Sequence, residues 1–144
     1  MKVSELIQFF KDFYEDFDEK KALQLLHKLK IKETDQLKNM SKGTKEKVQL
    51  VMVMSRKADL YILDEPIGGV DPASRDYILE TILTNFNEGS SILISTHLIS
   101  DIEKILDQVI FINQGKIVLN EDADTIRKKK KTTIDKLFRE EFKC

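Results

Sequence analysis

Residues 60–66 read Leu-Tyr-Ile-Leu-Asp-Glu-Pro, and this stretch decides the fold of the chain. Four consecutive apolar residues are too few for a helix and are typical of a strand buried on both faces, as in a parallel sheet. Proline cannot donate a ladder hydrogen bond, so the strand is predicted to end before Pro66. Asp64 and Glu65 then lie at its carboxyl end, which is the ligand-binding edge of open parallel sheets.

The two neighbouring carboxylates at this edge repel each other unless a cation or a proton separates them. In the simplest arrangement one carboxylate holds Mg²⁺, directly or through water, and the other orients or deprotonates a water molecule. A turn without chemical function is the alternative interpretation of Asp64 and Glu65 on their own.

A helix and a second strand follow this edge. Residues 68–72 read Gly-Gly-Val-Asp-Pro, and Pro72 suits the first turn of a helix. The predicted buried stripe of that helix consists of Ile78, Leu79, Ile82, Leu83 and Phe86, and residues 87–90 are predicted to end it. Residues 91–94 are predicted to be a second buried strand, which ends in Ser-Thr-His at residues 95–97.

A strand, a helix and a strand within about 35 residues predict a right-handed parallel βαβ unit. This geometry places residues 95–97 at the same sheet edge as Asp64 and Glu65. His97 can act there as a general acid or base, or donate a hydrogen bond to phosphate.

The chain before this unit is predicted to be helical. Asp16 or Asp18 can cap a second helix, and five aromatic residues crowd the junction before it: Phe9, Phe10, Phe13, Tyr14 and Phe17. These aromatic residues form the core of a small helical lobe, or some of them face a partner protein.

Residues 41–44 read Ser-Lys-Gly-Thr and precede a helix that is apolar nearly all round and therefore predicted to be buried. Ser41 is the predicted N-cap. The free N–H groups of such a helix start favour phosphate, and Gly43 permits a close backbone approach. A helix cap without a ligand is the alternative.

The C-terminal third is predicted to contain a short helix at 98–106, strands at 109–112 and 117–119, and helices at 122–131 and from Ile134 onward. Residues 127–131 form a basic run. A solvated helix face is the simple interpretation, and anionic lipid head groups or nucleic acid are the alternatives.

Composition excludes several classes of protein. The 144 residues have a hydrophobic fraction of 41%, a charged fraction of 34% and a net charge of −1, so no global field favours nucleic acid. No apolar run approaches the length of a membrane span, and the N-terminus carries no signal-peptide stretch. The one cysteine, Cys144, can form neither an intramolecular disulfide nor a metal cluster. We therefore expect a cytosolic protein.

Taken in order, these motifs resemble those of the nucleotide-binding subunit of ABC transporters, over about residues 1–142. The resemblance implies an α/β fold, namely a partial P-loop NTPase core of the ABC type with a parallel sheet. It assigns residues 1–56 to part of the helical subdomain, which ends in the signature helix. It assigns residues 57–144 to the partial nucleotide-binding core with its C-terminal helices.

Within that resemblance, residues 60–65 look like the Walker B motif, so Asp64 is expected to hold Mg²⁺ and Glu65 to be the general base. Asp71 looks like the D-loop aspartate, which crosses the dimer interface, and His97 like the switch histidine, which contacts the γ-phosphate. Residues 41–44 occupy the place of the signature.

The signature of the family is usually Leu-Ser-Gly-Gly-Gln. Ser41 and Gly43 match it, whereas Met40, Lys42 and Thr44 do not. Ser41, Lys42, Gly43 and Thr44 are nevertheless expected to bind the ATP held by the opposite subunit. Similar Ser-Lys-Gly signatures occur in the drug- and peptide-export branch of the family, which favours export.

The resemblance further implies ATP and Mg²⁺ as cofactors. It implies a second nucleotide-binding subunit and a transmembrane permease as partners, no nucleic acid, and a peripheral position on the inner face of the cell membrane. The chain contains no G-x-x-x-x-G-K-[ST] phosphate loop, which is the Walker A motif. We therefore expect the 144 residues alone to be inactive and to be part of a longer subunit.

Two other functions stay open at this point. The chain could be a non-catalytic interaction or regulatory half that completes the ATP site of a partner. It could also be a Mg²⁺-dependent phosphohydrolase that uses Asp64, Glu65 and His97 alone, although no phosphate cradle accompanies these residues.

Overall fold

The computed structural model describes residues 1–85, 88–129 and 131–143. The chain divides into two compact units, Met1–Thr96 and His97–Cys144. The sequence predictions made for Phe86, Asn87, Lys130 and Cys144 lie outside the described residues. The predicted functional division after residue 56 stays a prediction.

The first unit begins with three helices: α1 (Val3–Phe13), α2 (Glu19–Lys28) and α3 (Lys42–Met54), with a 3-10 turn at Leu37–Asn39 before α3. Of the two predicted caps for α2, Asp18 is the cap, since its side chain accepts the backbone N–H of Lys21 at 3.0 Å. The other, Asp16, instead pairs with Arg56 at 3.0 Å. The apolar core of these helices consists of Val3, Ile7, Ala22, Leu25, Leu26, Val48, Val51 and Met52.

The aromatic residues of this helical lobe divide between core and surface. Phe10 and Phe17 pack against the core, with their ring centroids 5.5 Å apart. Phe9 and Phe13 contact each other at 4.5 Å but are 46% and 68% exposed. Phe10 and Phe17 therefore belong to the core, and Phe9 and Phe13 are available on the surface. The fifth residue, Tyr14, lies with its ring centroid 3.8 Å from the guanidinium carbon of Arg56.

The predicted βαβ unit is confirmed. Strand β1 (Leu60–Asp64), helix α4 (Pro72–Asn85) and strand β2 (Ser91–Ser95) follow one another, and β1 pairs with β2 in parallel. The register pairs Leu60 with Ser91 and Asp64 with Ser95. Both strands consequently end at the same edge of the sheet.

The prediction that these strands are buried on both faces is wrong. Tyr61 and Leu63 are buried, but Leu60, Ile62 and Leu93 are 52%, 66% and 53% exposed. The physical reason is that the described residues pack against only one face of this two-stranded sheet, so the alternate side chains stay in solvent. Leu83 of the predicted α4 stripe is likewise 44% exposed.

The second unit begins with helix α5 (Ile99–Ile102) and a 3-10 turn at Glu103–Ile105 in place of one longer helix. Strands β3 (Gln108–Asn113) and β4 (Lys116–Asp122) pair antiparallel, and helices α6 (Ala123–Lys129) and α7 (Ile134–Glu141) follow. Phe111 of β3 lies 5.4 Å from Phe138 and 5.9 Å from Phe142, measured between ring centroids. These rings, with the fully buried Ile126 and Ile134, form the core of this unit.

Among the helices of residues 1–85, 88–129 and 131–143, we find none with both the length and the apolar character needed to cross a membrane.

Candidate active site

The carboxyl ends of β1 and β2 bring two carboxylates and two hydroxyl groups together. The hydroxyl of Ser95 donates to Oδ1 of Asp64, its register partner. The hydroxyl of Thr96 donates to Oε2 of Glu65 at 3.1 Å. We call this group of four residues the acid edge. These two hydroxyl donors orient the carboxylates of Asp64 and Glu65.

Both backbone polar groups of Glu65 form hydrogen bonds. Its N–H donates to the carbonyl of Ser95 at 2.8 Å, and its carbonyl accepts the N–H of Gly68 at 3.2 Å. Its φ angle is +46°, in the left-handed region that a residue with a Cβ seldom adopts. Backbone strain of this kind recurs at functional sites, where the surrounding structure enforces it.

The loop after Glu65 leads to the cap of α4. Oδ1 of Asp71 accepts the backbone N–H of Ser74 at 3.0 Å, and Oδ2 accepts the hydroxyl of Ser74 at 2.8 Å. These two hydrogen bonds, the backbone one first, lower the pKa of Asp71 below its ordinary value, and Lys47 contributes in the same direction. Asp71 is thus ionised, exposed and fixed at a helix start.

Ser41 is confirmed as the N-cap of α3. Its Oγ accepts the backbone N–H of Thr44 at 3.2 Å and lies 2.8 Å from the hydroxyl oxygen of Thr44. A Cβ added to Gly43 would meet nothing within 4 Å. The space beside this helix start is therefore open to a ligand, and phosphate binding there stays a prediction.

Lys42 connects the helix start of α3 with the loop after Glu65. A Cβ added to Gly69 would lie 3.0 Å from Nζ of Lys42 and 3.6 Å from its Cε. Gly69 has a φ angle of +71°, which glycine adopts without strain. The structure thus brings the segment Ser41–Thr44 and the loop before Asp71 together within the first unit.

A cleft of about 270 Å³ opens beside Asp64, between α3 and the end of β1. The residues that line it are Glu46, Gln49, Leu50, Val53, Ile62, Leu63, Asp64 and Pro66. This lining contains two carboxylates and, among the described residues, no cationic side chain. The cleft therefore suits a cation or water rather than a bare phosphate.

The acid edge fits Mg²⁺ by the chemistry of its donors. Asp64 is exposed, and its carboxylate accepts a hydrogen bond from the hydroxyl of Ser95. Carboxylate and hydroxyl oxygens are both hard ligands, which Mg²⁺ prefers. Mg²⁺ is usually held by one or two carboxylates together with water and substrate phosphates, so a complete protein cage is not required. The described residues contain no group of three or more acidic, histidine or cysteine side chains that could hold a metal.

His97 is the first residue of the second unit and follows directly after Thr96 in the chain. Its side chain is exposed. Its predicted contact with phosphate stays a prediction.

Two contributions to the site were not assigned from the sequence. Ser95 and Thr96 were placed at the correct edge, but their hydrogen bonds to Asp64 and Glu65 were not predicted. The available signal was the pair of hydroxyl residues at the end of the neighbouring parallel strand. The contact of Lys42 with Gly69 had no signal, because it joins two segments that are distant in sequence.

Comparison with known proteins decides the family. Residues 3–68 match the family described as ABC transporter. An uncharacterized ABC transporter ATP-binding protein from Methanocaldococcus jannaschii is 33% identical over 122 residues, which are 81% of this chain and 47% of that protein. The chain belongs to the ABC transporter ATP-binding family.

Other relatives of this ABC transporter ATP-binding chain agree. The lantibiotic transport ATP-binding protein SrtF of Streptococcus pyogenes is 34% identical over 108 residues, covering 74% of this chain and 47% of SrtF. A solved ATP-binding subunit of an ABC transporter superposes with a TM-score of 0.81 at 26% identity, covering 97% of this chain and 62% of that one. The chain spans about half the length of the curated relatives it matches, 47% in both cases.

Proposed function

We propose that the chain provides the carboxylates and the signature segment of an ATP-hydrolysing subunit that drives an ABC transporter. The observation that carries this proposal is the acid edge, where Ser95 and Thr96 donate hydroxyl hydrogen bonds to Asp64 and Glu65. Two adjacent carboxylates are thereby oriented at the ligand-binding edge of a parallel strand pair.

In this proposal Asp64 holds Mg²⁺, directly or through water. Bound Mg²⁺ neutralises charge on the phosphate groups of ATP. The exposure of Asp64 and the cation-free lining of the cleft beside it support this role. Ser95 keeps the Asp64 carboxylate in one orientation by donating to Oδ1, as outer hydrogen-bond partners of metal ligands do.

Glu65 is the proposed general base, which accepts a proton from the attacking water. Oε2 of Glu65 accepts the hydrogen bond from Thr96, and the backbone of Glu65 is hydrogen-bonded to Ser95 and Gly68. The carboxylate is therefore restricted in orientation, which hydrolysis by in-line attack requires. His97 is proposed to donate to the γ-phosphate.

The segment formed by Ser41, Lys42, Gly43 and Thr44 is proposed to bind the phosphates of ATP held by a second subunit. The open space at Gly43 and the exposed Lys42 support this assignment. Asp71 is proposed to take part in the same subunit interface, because it is exposed and its carboxylate is held by Ser74. The contact of Lys42 with Gly69 would couple the two segments.

Transport requires a permease, and the proposed contact surface is the helical lobe of residues 1–56. Phe9 and Phe13 are exposed side by side there, which suits a protein interface. The relatives include a lantibiotic transport protein and a linearmycin resistance protein. Together with the Ser-Lys-Gly signature, these names support export, from a position at the inner face of the membrane through the permease.

The 144 residues contain no P-loop, so turnover requires a phosphate loop in addition to them. This requirement dictates the test. We would replace the matching segment of SrtF by this chain and measure steady-state ATP hydrolysis and ATP binding of the chimera.

In the chimera, Glu65→Gln is expected to retain ATP binding and to lower turnover about 10²–10⁴-fold, because the amide keeps the shape but not the base. The control, Glu80→Gln, removes an exposed carboxylate from α4 and is expected to leave turnover unchanged. A chimera that binds ATP and hydrolyses it equally fast with and without Glu65 would refute the assignment.

A further inference from the structure

We propose that a basic cleft in the second unit is a binding site for a phosphate-bearing ligand. This open cleft measures about 520 Å³ and is lined by Arg127, Lys131, Thr132, Thr133 and Lys136. We call these five residues the basic cleft. The site is separate in sequence from every residue assigned above and does not depend on the proposed ATPase function.

Arg127 forms a fixed wall of the basic cleft. Its guanidinium pairs with Asp124 at 3.3 Å and donates to the backbone carbonyl of Glu103. An arginine held by two protein acceptors loses less conformational freedom when it binds an anion, and its fork retains further donors.

Lys131 and Lys136, in contrast, form no ion pair with any side chain in the described part of the chain. Two nearby carboxylates are engaged elsewhere. Asp135 pairs with Arg139 at 3.0 Å, and Oε2 of Glu103 accepts the backbone N–H of Asp135 at 3.0 Å. The two lysine side chains therefore form no ion pair with a described residue, and a bound anion would supply the counter-charge.

The backbone at Lys131 supports a role for its side chain. Its φ angle is +48°, in the left-handed region where glycine is preferred. A lysine at this position is less favourable for the fold than glycine would be. A strained residue that is kept in place of glycine indicates a function, and here the feature that glycine would lack is the lysine charge.

The hydroxyl groups define the chemistry of the ligand further. Oγ1 of Thr133 accepts the backbone N–H of Lys136 at 3.1 Å and so caps α7. Its own O–H can still donate to a ligand. Cationic and hydroxyl donors around one cleft suit the several acceptor oxygens of a phosphate group.

The cleft is open to solvent, so a phosphate ester or diphosphate can reach these residues as readily as a single phosphate group. A free phosphorylated compound and an anionic lipid head group present the same chemistry. We favour these over nucleic acid, because three cationic side chains converge on one cleft and the chain has a net charge of −1.

The test compares two variants of the 144-residue chain that each lose two lysine charges. In the cleft variant, Lys131→Gln is combined with Lys136→Gln. In the control, Lys128→Gln is combined with Lys129→Gln, since both side chains are exposed but do not line the cleft. Far-ultraviolet circular dichroism and melting curves confirm that each variant is folded.

Binding is measured in three arms at about 0.15 M salt, where charges more than about 8 Å apart are largely screened. The first arm titrates pyrophosphate by calorimetry. The second measures sedimentation with phosphatidylcholine vesicles that contain phosphatidylglycerol, against vesicles of phosphatidylcholine alone. The third titrates a single-stranded oligonucleotide.

We expect the cleft variant to weaken binding about 10- to 30-fold in the first or second arm, and the control to weaken it less than about threefold. Loss in the first arm identifies a free phosphate compound, and loss in the second arm alone identifies a lipid head group. The proposal is overturned if neither probe binds, if both variants lose binding equally, or if the oligonucleotide binds more tightly than both probes.

Discussion

The acid edge and the basic cleft treat their charged groups in opposite ways. Each contains one charged residue in the left-handed region, Glu65 with a φ angle of +46° and Lys131 with +48°. Glu65 accepts a hydroxyl hydrogen bond from Thr96, whereas Lys131 has no partner among the described side chains. One group is oriented by the protein, and the other is left to solvent or a ligand.

This difference separates two uses of charge. Neutral hydroxyl donors orient a carboxylate without cancelling its charge, so the acid edge stays able to attract a cation or accept a proton. An oriented group suits chemistry at a defined atom. Uncompensated lysines are flexible and suit the binding of an anion whose position is less strictly defined.

Among the changes that test this comparison, the largest expected effect comes from removing the hydroxyl that orients Glu65. Thr96→Val in the SrtF chimera keeps the side-chain shape and removes the donor to Glu65. We expect turnover to fall about 10–100-fold while ATP binding is retained, since loss of an outer partner misorients the reacting group. Single-turnover hydrolysis and ATP titration measure the two quantities.

A matched control for this prediction is Thr84→Val. Its hydroxyl donates to the carbonyl of Glu80 at 2.8 Å and accepts from Nδ2 of Asn85 at 3.0 Å, so both partners lie within α4. Equal losses of turnover from Thr96→Val and Thr84→Val would show that Thr96 acts through stability and not through Glu65.

A smaller effect concerns the backbone conformation of the two residues in the left-handed region, Lys131 and Glu65. Lys131→Gly relieves backbone strain without breaking a protein contact, and we expect it to raise the free energy of unfolding by about 1 kcal/mol. Glu65→Gly gains a similar amount but loses the hydrogen bond from Thr96, which contributes about 0.5–1.5 kcal/mol. Its net change is therefore expected to be close to zero.

Urea denaturation of the 144-residue chain measures both changes. Gln24→Gly, at an exposed position within α2, is the control and is expected to destabilise by about 0.5–1 kcal/mol. If Lys131→Gly destabilised the chain as Gln24→Gly does, the strain assigned to Lys131 would be absent.

The smallest effect concerns Asp71, whose partners are a backbone N–H and a hydroxyl of one residue, Ser74. Its pKa is lower when folded than its ordinary value of 3.8. Its contribution to stability is therefore present above that ordinary value and is lost as the pH falls through the lowered value of the folded state.

Asp71→Asn is accordingly expected to destabilise the chain slightly at neutral pH and by progressively less in acid. Unfolding free energies of the chain and the variant, measured from neutral pH to below the ordinary value of 3.8, give this difference. Asp76→Asn removes a carboxylate from the same helix without touching the cap. A pH dependence that is the same for both variants would contradict the role of Ser74.

The local features of the fold were predictable from the sequence. The Ser41 cap, the start of α4 at Pro72 and the parallel pairing of β1 with β2 each follow from residues close together in the chain. The exposure of Ile62 and Leu93 was not predictable. A run of apolar residues reveals that a strand has two apolar faces, but not whether another element covers both.

The two sites also differ in how far the sequence predicts them. The edge shared by Asp64 and Ser95 follows from the βαβ rule, although the hydrogen bond itself does not. The basic run at 127–131 was visible in the sequence, but Lys136 was not recognised as belonging with it. Only the folded structure places Arg127 and Lys131 of this run in the lining of one cleft with Lys136.

The bare face of the first sheet has a consequence for the abundance of the chain in a cell. Leu60, Ile62 and Leu93 are more than half exposed, at 52%, 66% and 53%, on strands that are paired with only one described neighbour each. Apolar strand surfaces of this kind promote aggregation as concentration rises. Chaperones and proteases remove such molecules continuously, so we expect synthesis to raise the level of the free chain only to a low plateau.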